Sequence, residues 1–281
     1  MKEQLQNIRD HQKATWNESS PGWKKWDDLT MDFLKPFGNE IIQQLLLKDT
    51  DVVLDVAAGT GEPGLTIASI VKKGKAIITD LADDMLVIAH ENAQKAGLTN
   101  VEFNVCDVSA LPFEDNTFDS ISCRMGFMFF PDMLMATTEM VRVLKPGGRI
   151  SASVWTGPDK NFWFAGVMSV VKKNIELPIP PPGAPGMFRC AQEGLIADLF
   201  KQAGLKNISQ TEIPTKLNCG TAATYWSFTS EVVGPVVSAL KQADSGMREK
   251  IKSEVYQLIN EKYPEGKVMI EGNAFVIKGT K

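Results

Sequence analysis

The sequence is poor in residues that crosslink a protein or anchor it in a membrane. Its 281 residues include four cysteines, none in a C-x-x-C pair, which excludes a disulfide framework and a paired-cysteine zinc site. No stretch approaches the roughly 20 apolar residues of a membrane-spanning helix, and the first residues are too polar for a signal peptide. These absences predict a cytoplasmic protein without stable membrane insertion and without a bound metal.

The charge balance also lacks an excess that would define a partner. With 30 Lys and Arg against 34 Asp and Glu, the net charge is −4, so no general attraction to a phosphate backbone is expected. Hydrophobic residues at 43% and charged residues at 23% exclude a disordered or fibrous protein. The composition therefore favours a globular protein without a nucleic-acid partner, although a local basic patch stays possible. We expect a monomer or a homodimer.

Short buried strands alternate with helices through the middle of the chain. This alternation predicts an α/β fold, a Rossmann-like doubly wound sheet with helices on both faces. The predicted strands are 51–56, 76–80, 101–107, 118–123 and 149–155, and the predicted helices between them are 65–71, 83–97 and 132–144.

The flanks of this alternating region are less regular. The first 30 residues predict a helix and then an irregular Trp-rich segment broken at Pro21 and Gly22. Further elements are predicted as helices at 31–48, 162–175, 191–204 and two or three within 221–262, a Pro-rich loop at 177–186, and strands at 206–214 and 268–279. We predict one domain, 1–281, with a cofactor-binding core at about 40–155. Residues of about 1–35 would form an N-terminal lid, and residues of about 160–262 would form a helical cap after the fifth strand.

A glycine-rich turn follows the first predicted strand. Gly59, Gly61 and Gly64 form G-x-G-x-x-G, which lets the backbone turn tightly and approach a ligand closely. Asp80 ends the second strand, where a carboxylate can accept from both ribose hydroxyls of an adenosine. The alternative is that the glycines only form the turn and that Asp80 caps a helix.

Two further carboxylates indicate which nucleotide is bound. Asp55 lies inside the first strand, where a buried charge requires a partner such as a cationic amino group or backbone donors. Asp107 ends the third strand, where its carboxylate can accept a hydrogen bond from an adenine amino group. A ligand with a ribose, an adenine and an ammonium group matches S-adenosylmethionine.

The segments that carry these residues resemble a known family. They are similar, in order, to the motifs of class I S-adenosylmethionine-dependent methyltransferases of the UbiE/COQ5 type. The matching segments are Val53 to Gly61, Thr79-Asp80-Leu81, Cys106-Asp107-Val108, Leu111-Pro112-Phe113 with Phe118-Asp119, and Arg142 to Gly148. The resemblance covers about residues 50–155. It implies the seven-stranded methyltransferase fold and transfer of a methyl group to a small acceptor by in-line displacement, with S-adenosylhomocysteine as the product.

The resemblance also implies a contact map for the cofactor. The methionine part would lie against the first motif and the end of the fourth strand, the ribose against Asp80, and the adenine between the second and third strands. The implied cofactor-binding residues are Asp55, Ala57, Gly59, Thr60, Gly61, Asp80, Leu81, Met85, Cys106, Asp107, Val108, Cys123 and Arg124.

An excess of aromatic residues outside the cofactor motifs predicts an apolar or aromatic acceptor. The predicted acceptor pocket consists of Trp16, Met125, Phe127, Met128, Phe129, Trp155, Trp163 and Trp226. The alternatives for these residues are ordinary core and, for the Trp-rich segments, a dimer surface. His11, on the N-terminal helix, is the candidate general base, against a surface or capping role, and His90 is expected on a solvated helix face.

Four other functions compete with this interpretation. Methylation of a base amino group is disfavoured because no Asn/Asp-Pro-Pro-Tyr sequence occurs. Arsenite methylation would require Cys123, Cys190 and Cys219 to converge. A nicotinamide oxidoreductase is disfavoured by Asp55 and by the lack of a Tyr-x-x-x-Lys set. A nucleotide-binding subunit without catalysis stays open.

Overall fold

A seven-stranded sheet forms the centre of the computed structural model, which describes residues 2–178, 181 and 183–281. The strand order is β3-β2-β1-β4-β5-β7-β6, and all strands are parallel except β7, which runs antiparallel to both of its neighbours. The strands are β1 Val52–Val56, β2 Lys75–Asp80, β3 Val101–Val105, β4 Phe118–Arg124, β5 Leu144–Trp155, β6 Lys206–Gly220 and β7 Val268–Thr280.

Ten helices surround this sheet in the described part of the chain. They are α1 Lys2–Lys25, α2 Asp27–Leu45, α3 Gly64–Ile70, α4 Asp83–Lys95, α5 Met133–Val143, α6 Phe162–Asn174, α7 Leu195–Gln202, α8 Ala222–Val232, α9 Gly234–Gln242 and α10 Ser245–Lys262. The predicted Rossmann-like α/β class, with N-terminal helices and helices after the fifth strand, is confirmed.

Between the first and fifth strands, the elements agree with the prediction to within a few residues. The strands β1, β2 and β4 are almost entirely buried, which explains why they stand out as apolar runs. Gly97, predicted to end α4, has a positive φ of 65° directly after the last turn. Strand β5 begins at Leu144, five residues before its predicted start, and its first residues pair irregularly with β4.

The predicted break at Pro21 is wrong, because α1 continues through it to Lys25. Proline removes the N–H that would bond to the carbonyl of Asn17, four residues earlier. The hydroxyl of Ser20 donates to that carbonyl instead, at 2.9 Å. The orphaned acceptor is therefore satisfied locally, and the helix continues.

The predicted cap range of 160–262 is too long. Its segment 206–220 forms β6, which pairs along its length with β7 in the sheet, and α7 packs beside that pair. Residues 179, 180 and 182 of the predicted Pro-rich loop lie outside the described residues. No helix within the described ranges is long and apolar enough to cross a membrane.

Candidate functional site

A cavity of about 380 Å³ opens where the parallel strands β1 to β4 end. Open α/β sheets bind ligands at this edge. Most of the predicted site residues line this cavity: His11, Trp16, Ala57, Gly59, Thr60, Asp80, Leu81, Met85, Cys106, Asp107, Val108, Arg124, Met125, Phe129, Trp155 and Trp163. Six do not line it: Asp55, Gly61, Cys123, Phe127, Met128 and Trp226.

The glycine-rich turn has two glycines with different roles. Gly59 has a φ of 57°, and an added Cβ would meet nothing within 4 Å, so its surface is open to a ligand. Gly61 has a φ of 112°, and an added Cβ would lie 2.8 Å from the side chain of Leu65. Gly61 therefore permits close packing of the turn against α3, and its implied contact with the cofactor stays a prediction.

Asp55 supports the turn from behind. Its side chain is 1% exposed; one carboxylate oxygen accepts from the backbone N–H of Gly64 at 2.9 Å and the other from the hydroxyl of Ser122 at 2.6 Å. Of the two kinds of partner that the sequence allows for Asp55, the structure shows the backbone donor, in the first turn of α3. The role of Asp55 in cofactor binding stays a prediction. Cys123, also fully buried, lies beside Gly126 behind the cavity wall.

Burial raises the pKa of Asp55 to about 7, although its bonds to Ser122 and Gly64 and the charge of Arg124 oppose this shift. Folding therefore favours the protonated form relative to the unfolded chain, whose ordinary pKa is 3.8. The free energy of unfolding should fall as the pH rises from the unfolded pKa to the folded one, and stay level above it.

Asp55→Asn removes this titration but keeps an oxygen for the N–H of Gly64. We expect the stability of the variant, relative to the parent, to be greater at about pH 8 than at about pH 5, as measured by urea denaturation at both pH values. If the free energies of unfolding of the variant and the parent differ by the same amount at both pH values, the result would contradict a raised pKa of Asp55.

Asp80 connects the turn to the cavity. Its carboxylate accepts from the backbone N–H of Gly59 and that of Ala82, each at 2.9 Å. Burial raises the pKa of Asp80, and these backbone bonds oppose the rise. A carboxylate has about four acceptor sites, so Asp80 keeps capacity for hydroxyl donors of a ligand.

Asp107 is held by a residue that the sequence did not indicate. One oxygen accepts from the backbone N–H of Ser109 at 2.9 Å, and the other lies 2.5 Å from Nε of Arg9. Arg9 belongs to α1 and also lines the cavity. The N-terminal helix therefore reaches the predicted adenine end of the site.

Helix α1 lines the cavity with residues that include Trp16 and Trp23, and its role as an N-terminal lid stays a prediction. It is fixed to α4 by ion pairs of Lys13 with Asp83 and of Lys24 with Glu91, and it contacts α8. These pairs are largely exposed, so each contributes little by itself. His11 lies on this helix at the rim of the cavity, and its role as a base stays a prediction.

The two helices α2 and α4 also hold the glycine-rich turn. The hydroxyl of Thr60 donates to Asp27 at 2.8 Å, and the amide of Asn92 donates to the other oxygen of Asp27 at 3.2 Å and to the carbonyl of Thr60 at 3.1 Å. Asp27 and Asn92 were not predicted, because nothing in the sequence pairs the start of α2 with α4.

The far end of the cavity is aromatic. The ring of Phe33 lies 5.5 Å from those of Trp155 and Trp163, and these two indoles are 4.9 Å apart. Asn161 is fully buried and accepts from the indole N–H of Trp163 at 3.0 Å, which fixes that ring. We call Phe33, Trp155, Trp163 and Phe228, all cavity-lining, the aromatic lobe.

Three predicted pocket residues lie elsewhere. Phe127 and Met128 are fully buried in the main core, where Phe127 packs 5.9 Å from the ring of Phe200. Trp226 is half-buried and packs against the same core from α8. Of the residues in the short 3₁₀ turn 127–129, only Phe129 lines the cavity, where its ring lies 5.0 Å from that of Trp16.

The cysteines do not form a thiol site. Cys123, Cys190 and Cys219 are buried and do not line the cavity, and burial raises the pKa of each thiol. Cys106 alone of the four lines it. Among the described residues, no cluster of His, Cys, Asp or Glu could hold a metal ion.

The strand order, with one antiparallel strand beside a parallel sheet, and the glycine-rich turn over β1 define a protein of the methyltransferase fold. The YcgJ protein from Bacillus subtilis has the same fold, with a TM-score of 0.58 and 19% identity over 87% of this chain and 97% of that one. A profile of the ubiE/COQ5 methyltransferase family matches residues 24–161.

Sequence relatives agree with that family profile. The chain is 32% identical over 207 residues to a demethylmenaquinone methyltransferase of Shouchella clausii, covering 66% of this chain and 86% of that enzyme. It is also 42% identical over 105 residues to an uncharacterized protein of Mycobacterium tuberculosis, of which it spans 37%. The chain belongs to the ubiE/COQ5 methyltransferase family.

Proposed function

We propose that this protein transfers a methyl group from S-adenosylmethionine to a small acceptor with an apolar or aromatic body. The observation that carries the proposal is the composition of the cavity at the ends of β1 to β4. The glycine-rich turn, Asp80 and Asp107 line one end, and the aromatic lobe lines the other. One chamber can therefore hold a nucleoside and an apolar molecule together.

The lining of the first end fits S-adenosylmethionine. Asp80 would accept from the ribose hydroxyls and Asp107 from the adenine amino group, while Leu81 and Met85 would pack against the base. The open surface at Gly59 allows close approach of the ligand to the backbone. Arg124 faces the same chamber, and the carboxylates of Asp27, Asp55 and Glu62 favour its charged form against the effect of burial.

When bound, the cofactor supplies a methyl group on a sulfonium, which is already an activated leaving group. The chain's own residues have to align the acceptor and exclude water. The aromatic lobe can hold a flat apolar body, and α1 covers the chamber. Proximity and orientation of this kind contribute about 7–11 kcal/mol to lowering a barrier.

The acceptor class is proposed from the lobe and from the relatives. Hydroquinones with one or two rings are the first acceptors to test, because the Shouchella clausii relative is named a demethylmenaquinone methyltransferase. Arsenite has no support from the buried cysteines, which do not converge on the cavity.

Methyl transfer can be measured directly. Purified protein is incubated with S-adenosylmethionine labelled in its methyl group and with a panel of hydroquinones, catechols and phenols. We expect label in an organic-extractable product, together with stoichiometric S-adenosylhomocysteine. Saturable binding of the cofactor, with no methylated product from any acceptor of the panel or from any cell extract added as a source of acceptors, would favour a nucleotide-binding protein without catalysis.

A further inference from the structure

Thr30 carries a buried hydroxyl that has no partner. It lies on α2, is 3% exposed and lines the cavity. Among the described residues, no group forms a hydrogen bond with its Oγ. A hydroxyl removed from water without a partner is costly, so its presence here requires a physical reason.

Other threonines in helices of this protein behave differently. A helical threonine commonly donates to the carbonyl four residues earlier. Thr15, Thr137, Thr138 and Thr229 do so, at 2.8, 2.7, 2.8 and 2.8 Å. The corresponding carbonyl for Thr30 is that of Trp26, which accepts the backbone N–H of Thr30 at 2.9 Å but not its hydroxyl.

The position of Thr30 on α2 places it beside the aromatic lobe. Residues four before and three after it share its face of the helix. These are Trp26, whose ring lies 5.9 Å from that of Phe228, and Phe33, which packs against Trp155 and Trp163. Thr30 therefore brings a hydroxyl without a partner to the part of the cavity that the aromatic lobe lines.

We propose that the Thr30 hydroxyl binds an oxygen of the methyl acceptor, so that the acceptor is an apolar body with a hydroxyl or carbonyl group on the side facing α2. This inference rests on the proposed function and specifies it further. Thr30 is then a specificity residue. A site built to hydrogen-bond an oxygen discriminates against an analogue that lacks it, because the site's own group is left unpaired.

The test compares two probes of nearly the same shape, 2-naphthol and 2-methylnaphthalene. Binding is measured by ultrafiltration on protein saturated with S-adenosylhomocysteine, for the parent, Thr30→Val and Thr30→Ser. We expect Thr30→Val to weaken 2-naphthol binding about threefold to tenfold, the effect of one net hydrogen bond. Binding of 2-methylnaphthalene should not weaken, and Thr30→Ser should keep its affinity for 2-naphthol within about twofold.

The thermal midpoint separates this role from a structural one. Because Thr30→Val removes an unsatisfied hydroxyl and keeps the shape, its midpoint should be no lower than that of the parent. Thr30→Ala provides a second variant without the hydroxyl if the valine variant does not fold.

Several results would overturn the proposal. The proposal fails if Thr30→Val binds 2-naphthol as tightly as the parent does, or if it loses equal affinity for both probes. It also fails if the parent binds neither probe. Weaker binding of S-adenosylhomocysteine with unchanged 2-naphthol binding would assign the hydroxyl to the cofactor instead. If S-adenosylhomocysteine itself does not bind the parent, the proposed function fails, and this inference fails with it.

Discussion

Replacing Asp80 with alanine should weaken S-adenosylmethionine binding about 10-fold to 150-fold, which corresponds to about 1.5–3 kcal/mol for lost hydrogen bonds to a charged group. The carboxylate has two tasks in the structure. It lines the cavity, and it accepts from the backbone N–H of Gly59, so its loss also leaves the glycine-rich turn without one of its supports. The measurement is calorimetric titration of the parent and the variant.

Asp84→Ala is the matched control for Asp80→Ala. Asp84 is an exposed carboxylate in the first turn of α4, four residues further along the chain, and it does not line the cavity. Its removal should change the affinity by less than about threefold, since an exposed charge in a first helical turn contributes little. Unchanged affinity in Asp80→Ala would remove Asp80 from the site.

Gly22→Ala should displace the N-terminal lid. Gly22 lies in α1 directly against α8, and an added Cβ would be 2.3 Å from the backbone oxygen of Glu231. A backbone atom cannot move aside as the end of a side chain can, so the helices must separate. Overpacking of this kind costs about 1–3 kcal/mol.

The separation should be visible in hydrogen exchange. We expect faster exchange of the amides of α1 in Gly22→Ala, and weaker acceptor binding, because α1 contributes Trp16 and Trp23 to the cavity. Gly246→Ala in α10 is the control; its Cβ would lie 3.4 Å from Asp244, an ordinary contact, and the variant should be more stable by about 0.5–1 kcal/mol. Equal protection of α1 in the parent and in Gly22→Ala would contradict close packing of the lid.

The parts of the fold that the sequence predicts well are those governed by local rules. Strands β1, β2 and β4 are buried runs, short helices follow β1, β2 and β4, and the glycine-rich turn follows β1 directly. The sequence predicts Asp80 and Asp107 at the ends of parallel strands, and parallel strands end at one edge of the sheet. Both residues line the cavity at that edge.

The alternation of the first strand decides between the two partners that the sequence allows for Asp55. Side chains of a strand alternate between its two faces. Asp55 therefore shares a face with Val53, which packs against α3, whereas Leu54 and Val56 pack on the other side of the sheet. The two-residue period thus predicts a carboxylate beneath the first turn of α3.

The remaining differences depend on tertiary placement. Arg9, Thr30 and Phe33 reach the cavity, and Asp27 reaches the glycine-rich turn, only because α1 and α2 fold over the sheet edge. No period in the sequence specifies that docking. Likewise, the sequence predicts β6 as a strand but within the cap, because its pairing with β7 joins residues 48 to 74 positions apart in sequence.

The most direct test of the proposed function is a calorimetric titration of the purified protein with S-adenosylmethionine, S-adenosylhomocysteine and NAD. The cavity predicts saturable binding of the first two at one site per chain and no binding of NAD. Binding of NAD alone, or of none of the three, would contradict the assignment of the end lined by Asp80 and Asp107 to S-adenosylmethionine.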